Sequence, residues 1–168
     1  MKTLKIFVLL LTVIMTSTVL AGRFDRSNKG DSAKNTKSNT VKLEAAITKI
    51  STDLIRRLPA KSTIVVVNVS SDNRQWSLQV MDGLEYRLVG ADKFIIVDRK
   101  RLDAIISEHR FQMTGLVSDS TVTKIGEMLG ANIVITGEIA QSGANHRLSA
   151  RALDVKTAQI IAMSRDNF

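Results

Sequence analysis

The chain has 168 residues, 24 Lys or Arg against 16 Asp or Glu for a formal net charge of +8, one Pro and no Cys. That length suits one domain with a real hydrophobic core. The missing thiol excludes disulfides, thiolate nucleophiles and Cys-ligated metals, so the fold has to be held by its packing.

Residues 1–22 read as an export signal: Lys2 and Lys5 give a positive start, Ile6 to Met15 is almost wholly apolar, and cleavage is expected after Ala21. The uncharged stretch from Lys5 to Arg23 is marginal for a bilayer, which favours a cleaved leader over a spanning anchor. Residues 23–40 are nearly free of large apolar side chains and read as a flexible, polar, basic linker. Arg23, Arg26, Lys29, Lys34 and Lys37 oppose only Asp25 and Asp31 there. A solvated tether is the plainest reading, with peripheral attraction to anionic membrane or cell wall as the more specific one. From residue 41 onward 17 basic and 14 acidic residues nearly balance, so no specific nucleic-acid surface is expected.

The globular part spans residues 41–168. Leu43, Ile47, Ile50, Leu54 and Leu58 recur at helical spacing, with Asn39 or Thr40 as the cap and Pro59 as the stop. Thr63 to Val69 is β-branched and predicts a buried strand. A helix follows in which Trp76, Val80, Leu84 and Leu88 share a face before Gly90 ends it, and Phe94 to Val97 predicts a second strand. Two strands joined by a helical crossover should lie parallel in one sheet. Asp98 caps a helix opened by Arg99, with Leu102, Ile105 and Ile106 on its apolar face. After a turn-prone stretch, Val122, Ile125, Met128 and Leu129 mark another helix that Gly130 ends, and Ile133 to Ile135 begin a strand. Gly143 to Asn145 predicts a hairpin, Arg147 to Ala152 alternates as a half-exposed strand, and Gln159 to Ser164 supplies the last strand after a turn at Lys156 and Thr157. The expected fold is α/β: a single-domain mixed sheet with packed helices, a parallel β-α-β start and an antiparallel C-terminal meander.

Nothing in this pattern predicts catalysis. There is no phosphate-binding Gly-rich loop, no nucleophile elbow and no metal signature, and His109 and His146 lack ligand spacing. Asp98 and Glu108 are better explained as a helix cap and a solvated helix face than as an acid/base pair. Arg99, Lys100 and Arg101 diverge at a helix start and need not form one patch. Trp76 reads as core rather than as a binding platform. No cofactor is expected.

The run Phe94-Ile95-Ile96-Val97-Asp98-Arg99, then Leu102, Ile105 and Glu108, then Phe111-Gln112-Met113-Thr114-Gly115, then Ile125-Gly126, and finally Leu129-Gly130-Ala131-Asn132 with Ile135-Thr136-Gly137 resembles the curli production assembly/transport component (CsgG) family. Asn132 stands where that family usually has Asp; either can cap the turn before a strand. The resemblance implies a non-enzymatic cell-envelope protein that works through protein contacts in the periplasm. It names Asp98, Arg99, Glu108, Gly115, Gly130, Ala131, Asn132 and Gly137 as motif positions with structural roles and implies no catalytic, cofactor or metal site. The implied partner is an envelope protein: a penicillin-binding protein if the chain acts like the related activator LpoB, a flagellar component if it acts like FlgO, or further copies of itself. Val19, Leu20 and Ala21 also resemble the end of a lipoprotein signal, yet Arg23 stands where the lipidated cysteine would be, so the resemblance implies either a soluble exported protein or an uncleaved leader acting as a membrane tether. No segment is free to form the membrane-spanning hairpins of a secretion pore. The rival class is an exported enzyme or small-ligand binder built on a cleft in the α/β domain.

Overall fold

The computed structural model describes residues 28–168, with side chains from residue 38 onward. The expected leader and the first residues of the expected linker lie outside that range. Helix α1 spans Asn28–Arg57, so it starts well before the Asn39 or Thr40 cap read from the sequence, and residues 28–40 of the expected linker have helical backbone. From Asp31 to Leu58 the chain contains neither Gly nor Pro. Once the packed turns after Val41 have nucleated a helix, extending it through such residues costs little per residue. Leu43, Ile47, Ile50, Leu54 and Leu58 are all buried, each worth roughly 2 kcal/mol as an upper estimate.

The remaining elements are β1 (Thr63–Ser70), α2 (Arg74–Gly90), β2 (Ile95–Ile96), α3 (Arg99–Glu108), α4 (Asp119–Leu129), β3 (Ile133–Ser142), β4 (Asn145–Asp154) and β5 (Ile160–Asn167). They form one mixed five-stranded sheet in the order β2-β1-β3-β4-β5. β1 pairs parallel with β2 and β3, while β3, β4 and β5 pair antiparallel. This is the expected parallel start and antiparallel finish.

One local expectation changes. The strand read from Phe94 to Val97 is paired only at Ile95 and Ile96, because it lies at the sheet edge and Ile95 is left exposed. Gly90 ends α2 as expected, being its last helical residue, and Ala91 caps the helix with a right-handed conformation. By contrast Gly130 follows α4 at φ 68°, a backbone angle that favours glycine.

The sheet has two differently covered faces, as strand alternation requires. On the first, α1 and α2 pack over Ile64, Val66, Val69, Ile133, Ile135, Leu148, Ala150 and Ala152. α1 also reaches the last strand, where Lys49 Nζ donates to Asp166 Oδ1 at 2.6 Å. On the second, α3 and α4 cover only the parallel half, closing over Val65, Val67 and Val134 with Leu102, Val122, Ile125 and Leu129. The described helices leave the antiparallel half of that face open, and Ala140, Arg147, Met163 and Arg165 are exposed there.

Candidate functional site

The two crossovers on either side of β1 diverge: α2 runs over one face from β1 to β2, and α3 with α4 run over the other from β2 to β3. This arrangement opens a crevice beyond the carboxyl end of β1, where sheets of this kind place their sites. The register of β1 shifts between Val66 and Asn68, and the Asn68 side chain reaches the loop between α3 and α4, donating from Nδ2 to the Gly115 carbonyl at 3.0 Å. Asn68 thereby borders two clefts at once. The larger cleft, of about 650 Å³, runs between α2 and α3 with Leu78, Met81, Leu102 and Ile106 on its walls. The smaller, of about 270 Å³, opens onto the uncovered sheet face between Leu116, Met163 and Arg151.

Ion pairs fix the walls. Arg99 is half-buried at the start of α3, whereas Lys100 and Arg101 beside it are exposed, and its Nη2 donates to Glu85 Oε1 of α2 at 2.7 Å. Its Nε is buried without a hydrogen-bond partner. Burial pushes the Glu85 carboxyl above its ordinary range, and the pull of Arg99 in the opposite direction does not cancel it. Across the sheet, Arg151 grips Asp119 of α4 through two hydrogen bonds, at 2.6 and 3.3 Å, and donates from Nε to Thr136 Oγ1. Such forked geometry holds a planar carboxylate in register.

The residues singled out from the sequence fall into separate places. Asp98 caps α3 by accepting the Lys100 N–H at 2.8 Å, and Glu108 lies exposed at the other end of the helix. Gly130 and the buried Ala131 close α4, the Ala131 N–H reaching the Gly126 carbonyl. Asn132 accepts the Thr63 N–H on its side chain and so ties β3 to β1. Gly137 lies where β1, β3 and β4 meet; a Cβ there would stand 3.1 Å from the Ser149 carbonyl and 3.2 Å from Val69. Of these motif positions, only Arg99, Gly115 and Gly137 border the clefts. His146 packs between Trp76 and Phe168, with ring centroids 4.7 and 5.5 Å away, while His109 contacts Phe111. Among the described residues, no three His, Asp or Glu come together as a metal site.

The sequence reading missed Asn68, Leu116, Met163 and Arg165. Its one available signal was the alternation around Arg147 and Arg151, which marks them as outward-facing.

The sequence pattern of the family described as Curli production assembly/transport component CsgG matches residues 26–150, well over half of the chain. The chain belongs to the CsgG family. Among curated proteins none matches it significantly. The C-terminal domain of LpoB from Salmonella enterica has the same fold at 16% identity, with a TM-score of 0.64 over 75% of this chain and 97% of that one. The corresponding domain from Escherichia coli gives 18% identity and a TM-score of 0.63 with the same coverage. Lipoprotein GNA1162 from Neisseria meningitidis is more distant, at 12% identity and a TM-score of 0.50 over 64% of this chain and 79% of that one. At such identities the likeness concerns the fold. No helix among the described residues of this CsgG-family chain is long and apolar enough to cross a membrane.

Proposed function

We propose that this CsgG-family protein is a non-enzymatic accessory factor of the cell envelope, exported to the periplasm, that acts by docking onto another protein. The observation that carries this reading is the half-covered sheet: α3 and α4 stop short of β4 and β5 and leave Met163 and Leu116 exposed beside Arg151. Clustered apolar side chains left in water mark contact surfaces more often than they serve a monomer.

A finer reading is activation of a penicillin-binding protein. It is supported by the extent of the LpoB likeness, which spans 97% of each LpoB domain compared above. Affinity capture from envelope extracts, combined with size analysis of the purified protein, tests both. Recovery of one envelope protein at constant stoichiometry supports docking, and a penicillin-binding protein in that position supports the finer reading. A monomer that retains nothing, or one that turns over a small molecule, overturns the proposal.

A further inference from the structure

We infer that the open face of β3, β4 and β5 is shaped for an acidic protein partner that presents carboxylates around one apolar side chain. This rests on the docking reading above and names the chemistry of the partner.

Register places the cations. On β4, Arg147 and Arg151 point to the uncovered face on either side of Ser149, and across the ladder Ser149 is paired with Arg165 of β5. On its other side Ser149 is paired with Glu138. Arg147 and Arg151 are four residues apart, roughly 13 Å along the strand, and β5 is about 4.8 Å away. Three arginines and the single carboxylate of Glu138 therefore surround one small residue on this face, leaving the cations in excess. Arg151 is engaged by Asp119. Arg147 donates only to neutral oxygens, Ser142 Oγ at 2.7 Å and Asn167 Oδ1 at 3.3 Å. Neither Arg147 nor Arg165 has an acidic partner among the described residues.

Next to this triangle lies the recess of about 270 Å³ bordered by Leu116, Val117 and Met163. It falls just under the roughly 300–1,000 Å³ of small-molecule sites. A single inserted side chain, ringed by polar contacts, suits such a space, and this is how interface anchors are built.

Charge selects the occupant. Residues 1–40 of the chain itself carry seven Lys or Arg and two Asp, so they are repelled by the arginines. A second copy meeting this face with its own would set like charges against one another. An anionic membrane would respond to net charge over a broad surface, yet residues 41–168 are nearly balanced at 17 basic to 14 acidic. Guanidinium groups pair with carboxylates in a fixed planar geometry, and the recess supplies the apolar element that a phosphate surface does not fill.

The test uses the full chain and a short synthetic peptide with a central leucine–phenylalanine pair flanked by glutamates, its glutamine counterpart, and vesicles containing anionic phospholipid. The glutamate peptide should bind, weaken with added salt, and lose about tenfold or more in affinity to an R147E/R165E variant whose circular dichroism is unchanged. Met163→Asp should weaken it independently, and Lys100→Glu, on α3, should leave it intact. Equal binding of the glutamine peptide, an unaffected R147E/R165E variant, or preference for the vesicles would each overturn the inference. Envelope capture separates the two readings. A partner still retained by R147E/R165E keeps the docking role and removes this face from it, whereas peptide binding without any captured partner does the reverse.

Discussion

Asn68 Nδ2 donates to the Gly115 carbonyl at 3.0 Å, tying the bulged end of β1 to the loop between α3 and α4 across 47 residues of sequence. That bond stands between the two clefts and holds Leu116 against the open face. Asn68→Ala should cost about 0.5–1 kcal/mol in denaturant unfolding, since the bond is exposed and net contributions are modest. The more decisive readout is hydrogen exchange, which should accelerate in residues 111–117 while β3 and β4 remain protected. Unchanged exchange in that loop would mean that its own packing, through Phe111 and Met113, fixes it without the bond.

This relationship also marks where sequence reading ends. Apolar stripes in α1, α2 and α4 were legible because each helix buries one face, and Gly130 was legible because helices end on a residue that tolerates positive φ. The first turns of α1 were not, since their polar residues carry no periodic apolar signal. β2 shrank to two paired residues because an edge position leaves Ile95 with no neighbour on one side. Alternation predicted that Arg147 and Arg151 face outward. It could not predict that α4 begins with Asp119 within reach of Arg151, or that Arg165 of another strand lines up with Ser149. Strand order and register decide those facts, and neither is local.

Gly126 lies on the face of α4 that presses on the sheet. A Cβ there would come within 2.5 Å of Val134 Cγ2 and 2.8 Å of Val155 Cγ2. Ala gains up to about 1 kcal/mol over Gly in a helix interior, but overpacking costs about 1–3 kcal/mol. Gly126→Ala should therefore destabilise by about 1–2 kcal/mol. Gly90→Ala is the matched control, because nothing lies within 4 Å of its added Cβ; its unfolding midpoint should be unchanged or slightly higher. Equal effects of the two substitutions would show that helix propensity, rather than the close approach to Val134, governs both.

Arg99 and Glu85 join α3 to α2 with side chains 27% and 22% exposed. Removing the cation leaves a half-buried carboxylate without its partner, so Arg99→Ala should cost about 1–3 kcal/mol at neutral pH. The pH dependence has a definite sign. Burial already raises the Glu85 pKa above its ordinary 4.5, so its contribution to stability is present below that value and is lost as pH rises through the folded-state pKa. Without Arg99 the rise is larger, and the deficit of Arg99→Ala should be smaller near pH 4 than at pH 7. A pH-independent deficit would assign the effect to lost packing against Met81 instead.

Asp154 has the opposite sign. Its Oδ1 accepts the Thr157 N–H at 2.8 Å and the Thr157 hydroxyl at 3.0 Å, closing the turn from β4 to β5. These bonds, the backbone one foremost, hold its pKa below the ordinary 3.8. A lowered carboxylate pKa contributes stability that is present above the unfolded value and is lost as pH falls through the folded one. Acid unfolding followed by circular dichroism should thus be less steep below about pH 4 in Asp154→Asn, with little difference between the proteins near pH 7, because Asn also accepts hydrogen bonds in such turns. The same turn aligns β5 with β4 and so brings Arg165 opposite Ser149. Asp154→Ala, which removes the acceptor, should weaken the glutamate peptide along with stability, while Asp154→Asn should retain binding at neutral pH. If Asp154→Ala kept full affinity, β5 would hold its register through the ladder alone.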